Sequence, residues 1–224
     1  MVKKYLKYLF VFLLIPALII IGAVLYPQRS FVIVSAAVVI TACVPFFISF
    51  EKNSSTRRLV MLAVMTALSV AGRFIFAPIP FFKPVTAMVV IAGMYFGCEF
   101  GFLTGALSAV ISNFYFGQGA WTPFQMFSWG IIGFIAGLLS NPLIKSKIVL
   151  IIYGVFAGIA YSLMMDVWTV LWMDGTFNPE RFFAAIATAL PVTAQYIISN
   201  IIFLIILEPL FRKKIERLKV KFGL

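Results

Sequence analysis

Apolar residues run along this chain in long blocks, broken only briefly by polar or turn-forming positions. Crossing a bilayer takes a helix of about 20 apolar residues, with a range of roughly 17 to 25. Eight blocks approach that length: 5–26, 31–50, 57–77, 84–98, 100–116, 124–140, 148–172 and 182–211. Each predicts a helix. The fourth and fifth are short and separated only by Cys98 and Glu99, so they must tilt, break or be shielded by protein. The most polar stretch before the C-terminal tail is "FEKNSSTRR", residues 50–58. It divides the chain into a two-span N-terminal extension, 1–52, and a six-span core, 53–224.

Composition fixes the solvent. The chain has 224 residues, 63% hydrophobic and 11% charged, against about 25% charged in an ordinary soluble domain. Such a surface belongs in lipid, as an all-α polytopic membrane protein. The net charge of +11 is not a nucleic-acid footprint, because the basic residues flank the apolar blocks. With both termini cytoplasmic, the inner side collects Lys3, Lys4, Lys7, Lys52, Arg57, Arg58, Lys145, Lys147 and the basic tail Arg212, Lys213, Lys214, Arg217, Lys219 and Lys221. That is fourteen of eighteen; Arg29, Arg73, Lys83 and Arg181 remain outside. The positive-inside rule therefore sets the orientation. The first block is long and lacks a small-residue cleavage site, so it reads as a retained span.

Several chemistries drop out. Histidine is absent, which removes His-based metal sites and Ser-His-Asp or Cys-His nucleophiles. Cys43 and Cys98 give neither a disulfide framework nor a metal spacing. No GxxxxGK[ST] occurs, so the chain carries no P-loop ATPase. No carboxylates are spaced for acid-base work. Neither an active site nor a cofactor site is expected.

Four constellations remain. In "LAVMTALSVAGRF", Ala63, Ala67 and Ala71 recur every four residues and form a groove of small residues. Such a groove serves either internal helix packing or docking of another subunit. Arg73 and Asp166 lie just inside the outer ends of their spans, where an ionisable group is expensive; pairing, substrate contact and snorkelling of Arg73 to the interface are the readings. The stretch "SNFYFGQGAWTPFQMFSWG", 112–130, concentrates Asn113, Phe114, Tyr115, Phe116, Gln118, Trp121, Gln125 and Trp129 around Gly117, Gly119 and Pro123. Tyr161, Trp168 and Trp172 join from the seventh span. An interfacial aromatic belt would need no amides, whereas a pocket for a polar heterocycle does. Pro123 stands where a first-turn proline opens a helix. On the last span, Gln195, Ser199 and Asn200 form a polar stripe below Pro191, suited to helix packing or to a cavity floor.

Segment 57–140 resembles the substrate-binding S components of energy-coupling factor (ECF) transporters. "RRLVMLAVMTALSVAGRFIF" looks like the family's first core helix with its alanine motif. "GQGAWTPFQMFSWG" and its flanks resemble the second to fourth helices. The resemblance implies a six-helix S-component bundle, here preceded by two extra N-terminal helices. It implies a non-enzymatic, high-affinity vitamin-binding subunit in the bacterial cytoplasmic membrane. That subunit docks through Ala63, Ala67 and Ala71 on a transmembrane coupling protein and, through it, two ATPases. The expected substrate-binding set is Arg73, Lys83, Asn113, Phe116, Gln118, Trp121, Gln125, Trp129, Asp166, Trp168 and Trp172. The stretch 117–130 is similar to S components assigned to cobalamin or related corrinoids, so cobalamin is the expected vitamin, with a flavin or another heterocycle as the alternative. A structural or sensory membrane protein is the competing class; a lipid-directed enzyme lacks the acids or His it would need.

Overall fold

A computed structural model describes residues 56–222. The first two predicted spans, 5–26 and 31–50, lie outside these residues. Among the described residues the fold is all α: α1 (Thr56–Ile75), α2 (Val85–Phe96), α3 (Cys98–Phe116), α4 (Thr122–Leu138), α5 (Ser140–Lys145), α6 (Lys147–Asp174) and α7 (Pro179–Phe222). Six of these fall on the six predicted blocks from 57 to 211. The short helix α5 is an addition.

Among the described residues three helices, α1, α6 and α7, are long and apolar enough to cross a membrane. Helix α2 has only 12 residues, about 18 Å at 1.5 Å per residue. Its shortness is tolerable because eleven of its residues are buried. It meets protein where a lipid-facing helix would need full length.

Helices α2, α3 and α4 form a close-packed platform built on glycine. Gly97, with φ of 100°, makes the whole connection between α2 and α3. That left-handed conformation suits glycine because it has no Cβ. Beyond this corner the two helices fold back on each other. A methyl group on Gly101 would stand 2.7 Å from the Gly93 Cα, and one on Gly105 would stand 2.5 Å from the Trp129 carbonyl. Backbones this close gain dispersion contacts that lipid cannot replace.

Polar side chains zip α6 to α7. Ser162 and Thr193 share a hydrogen bond of 2.6 Å, and the Asn200 amide donates to the Gly154 carbonyl at 3.2 Å. The Tyr153 hydroxyl donates from α6 to the Ile132 carbonyl of α4. At the predicted inner end, Glu208 is 3% exposed. It accepts from Tyr95 at 2.6 Å and from Arg212 at 2.7 Å, and Arg212 donates onward to the Ile144 carbonyl at 2.7 Å. This cluster ties α2, α5 and α7 together. It also fixes α5, which the apolar pattern could not reveal.

Two outcomes follow from the packing. Gly105→Val should lower the unfolding midpoint in detergent, with an overpacking cost of about 1–3 kcal/mol. Glu208→Ala should cost about 1–3 kcal/mol, because it takes the shared carboxylate from the buried Tyr95 hydroxyl and the partly exposed Arg212 guanidinium. Thermal melts that match the parent protein would contradict each.

Candidate functional site

The ends of α1, α3 and α4 converge with the 76–84 loop at the predicted outer end. Rings knit them together. Phe74 on α1 meets Tyr115 edge-on at 5.0 Å and stacks on Phe116 at 5.4 Å. Gly117, with φ of 104°, turns the chain out of α3, and Pro123 lies in the first turn of α4, as its position in the sequence predicts.

Below this rim lies a cavity of about 460 Å³, a size typical of small-molecule sites, roughly 300–1,000 Å³. Its wall carries Arg73, Lys83, Phe116, Gln125 and Trp129, all expected from the sequence. It also carries Tyr161, which is buried and stacks face to face on Trp129 at 5.1 Å and 17°. Tyr196, Ser199 and Asn200 line it from α7, so the floor reading holds for two of the three stripe residues. Gln195 is exposed and lies elsewhere. Tyr196 was missed. It lies three and four residues before Ser199 and Asn200, on their face, and that spacing was the available signal.

Arg73 is the centre of the polar edge. Its Nη1 donates to the Ser112 hydroxyl and to Asn113 Oδ1, the latter at 2.8 Å. Its guanidinium lies over Phe116 at 4.6 Å and over Trp129 at 5.3 Å, distances at which a cation is drawn to the ring face. Pairing of Arg73 with Asp166, one of the readings, is not formed; the ion pairs Arg181–Asp174 and Arg212–Glu208 involve neither residue. The reason is geometric. The serine and asparagine on α3 already hold the guanidinium, and Asp166 does not line the cavity. Among the described residues no carboxylate lines it.

Lys83 lines the cavity, but its ammonium is spent on the loop. It donates to the carbonyls of Phe76, of Ala77 at 3.1 Å and of Ile79 at 2.5 Å. Burial and the nearby Arg73 charge hold this ammonium below the ordinary lysine range. The same loop holds Phe81 at φ of 56°, a conformation unfavourable for a bulky residue. The Lys83 clamp and the edge-on contact of Phe81 with Tyr196 at 5.8 Å keep it there.

The other expected residues lie outside the lining. Asn113 is buried behind the wall, with its amide donating to Thr122 at 2.9 Å and to Gln125 at 2.8 Å. Gln118 bonds the Val110 carbonyl and the Thr122 hydroxyl. Trp121 meets Trp168 edge-on at 5.9 Å, and Trp168 stacks on Trp172 at 6.1 Å. These three indoles form a separate aromatic group beside the cavity. Ala63, Ala67 and Ala71 are all exposed on α1, beside exposed Val60, Val64 and Leu68. Internal packing is therefore not the use of this face among the described residues.

Residues 53–213 match the model of the family described as the ECF-type riboflavin transporter, S component. The chain belongs to that family. The match covers well over half of the sequence and contains all fifteen cavity-lining residues. The protein is thus a substrate-binding membrane subunit of an ECF importer for a vitamin, from a transporter family rather than an enzyme family. Comparisons with curated proteins and with solved structures gave no match.

The geometry ranks the tryptophans. Trp129→Ala removes a buried stacked ring and should weaken ligand binding by about a hundredfold, from lost burial and stacking together. Trp121→Ala, one residue group away, should weaken it by less than about tenfold on the same grounds. Titration of both purified variants checks the order, and a reversed order would refute this ranking.

Proposed function

We propose that this S component binds riboflavin or a closely related flavin in the cavity beside Arg73. The family match over the entire lining carries the reading, since that family is the riboflavin type. The cavity's chemistry supports it. A flat stacked pair, Trp129 on Tyr161, suits a planar tricyclic ring. A wall with Arg73 and without a carboxylate favours a neutral or anionic ligand over a cationic one. The expectation of cobalamin finds no support in the family match, and a cavity of about 460 Å³ favours a flavin over a far bulkier corrinoid.

The exposed alanine face supports the other half of the mechanism. Ala63, Ala67 and Ala71 leave a shallow lane along α1 where a second helix can approach closely. We assign this lane to docking on the transmembrane coupling subunit, which carries two ATPases. The binding subunit sits in the bacterial cytoplasmic membrane with both termini inside. Residues 1–52 lie outside the family match, in keeping with a separate two-span extension and a six-span core.

Two experiments test this. Riboflavin fluorescence should be quenched stoichiometrically by the purified protein, with cobalamin failing to compete. Full competition by cobalamin with no flavin quenching would overturn the substrate. Ala67→Trp should abolish co-purification with the coupling subunit and flavin uptake, while leaving riboflavin affinity within about twofold, because the face lies away from the cavity. Normal assembly of this variant would remove the docking assignment.

A further inference from the structure

The hydrogen-bond polarity of the cavity wall is dictated by one residue. A guanidinium has only donors and keeps its proton in proteins. The Asn113 atom facing Arg73 must therefore be its acceptor oxygen, at 2.8 Å. The Asn113 amide nitrogen then faces Gln125, at 2.8 Å, and Thr122, at 2.9 Å. Asn113 is 1% exposed, so no water offers it another choice. Gln125 consequently presents its oxygen to Asn113 and its nitrogen to the Tyr161 hydroxyl, at 3.1 Å. Flipping either amide would oppose two donors.

The last member decides the consequence. Tyr161 lines the cavity and accepts from Gln125, so its own hydroxyl hydrogen remains to be donated. Arg73 has two of its five N–H groups committed through Nη1. It too offers only donors. We propose that Asn113 is a positioning residue that, without lining the cavity, sets Gln125 and Tyr161 so that this edge presents donors and selects a ligand carrying acceptors there. The ligand class is a planar heterocycle with carbonyl oxygens or unprotonated ring nitrogens along one edge. A flavin has such an edge, and the inference rests on the flavin reading for that identification alone.

Asn113→Asp tests the relay because it keeps an acceptor for Arg73 and removes the donor to Gln125. Gln125 then turns its nitrogen to the new carboxylate and its oxygen to Tyr161, which must spend its hydrogen on Gln125. Gln125→Glu reaches the same end state by another route and serves if the first variant does not fold. In the parent protein, Tyr161→Phe should weaken riboflavin binding about tenfold, the loss of one buried hydrogen bond. In either variant background the same substitution should change affinity less than about twofold, the non-additivity of coupled groups. Equal losses in all backgrounds would overturn the relay.

A ligand-free readout separates this from the substrate question. The tyrosine doublet in ultraviolet resonance Raman spectra distinguishes an accepting from a donating hydroxyl. The difference spectrum against Tyr161→Phe should show an acceptor in the parent and a donor in Asn113→Asp and Gln125→Glu. That inversion without riboflavin binding would retire the flavin and keep the relay. Riboflavin binding with an unchanged doublet would do the reverse.

Discussion

A guanidinium placed within a membrane bundle has to be satisfied by protein, and Arg73 shows how much structure that demands. Charges at such depth are expensive unless hydrogen-bonded or paired. Among the described residues no acid answers the charge. A serine and an asparagine on α3 take two of its protons, and two aromatic faces cover it. Meeting that demand fixes the register of α1 on α3 and the orientation of the buried Asn113. Through Thr122 and Gln125 it also fixes the start of α4. The cavity wall is in large part what remains once Arg73 has been satisfied.

The bundle divides the work between two kinds of surface. Helices α2, α3 and α4 meet backbone to backbone at glycines, giving the site a rigid wall. Helices α1, α6 and α7 face outward with many exposed apolar residues. Helix α1 bears on both proposed functions at once. One side sends Arg73 into the cavity, while the other presents a lane of alanines that is exposed among the described residues. A single rigid element thus joins the ligand to the proposed docking face.

What the sequence could reveal follows from what each feature depends on. Span positions depend on local hydropathy, so six helices fall where the apolar blocks lie. The ends were less legible: α7 runs on to Phe222, well past its apolar block, because Lys and Arg are good helix formers. Helix α5 has six residues and a proline, too little to register. The cavity was legible in part, since Arg73, Phe116, Gln125 and Trp129 stand out as polar or large residues near span ends. Which of them face one another depends on how each helix is rotated, and neither composition nor spacing records that. Hence pairing with Arg73 stood among the readings for Asp166, and Trp121, Trp168 and Trp172, grouped with the cavity residues in the sequence, lie outside its lining. Of the amides concentrated in 112–130, Gln125 lines the cavity and two others do not. Asn113 supports the wall from behind, and Gln118 holds the connection to α4.

The central claim is that the Arg73 cavity holds a flavin. Mass spectrometry of whatever remains bound to the detergent-purified protein, released by denaturation and quantified against chain concentration, tests it most directly. The account predicts one riboflavin-class molecule per chain, lost when Arg73 is replaced by Leu. A corrinoid, or a flavin retained equally by the Arg73→Leu protein, would contradict it.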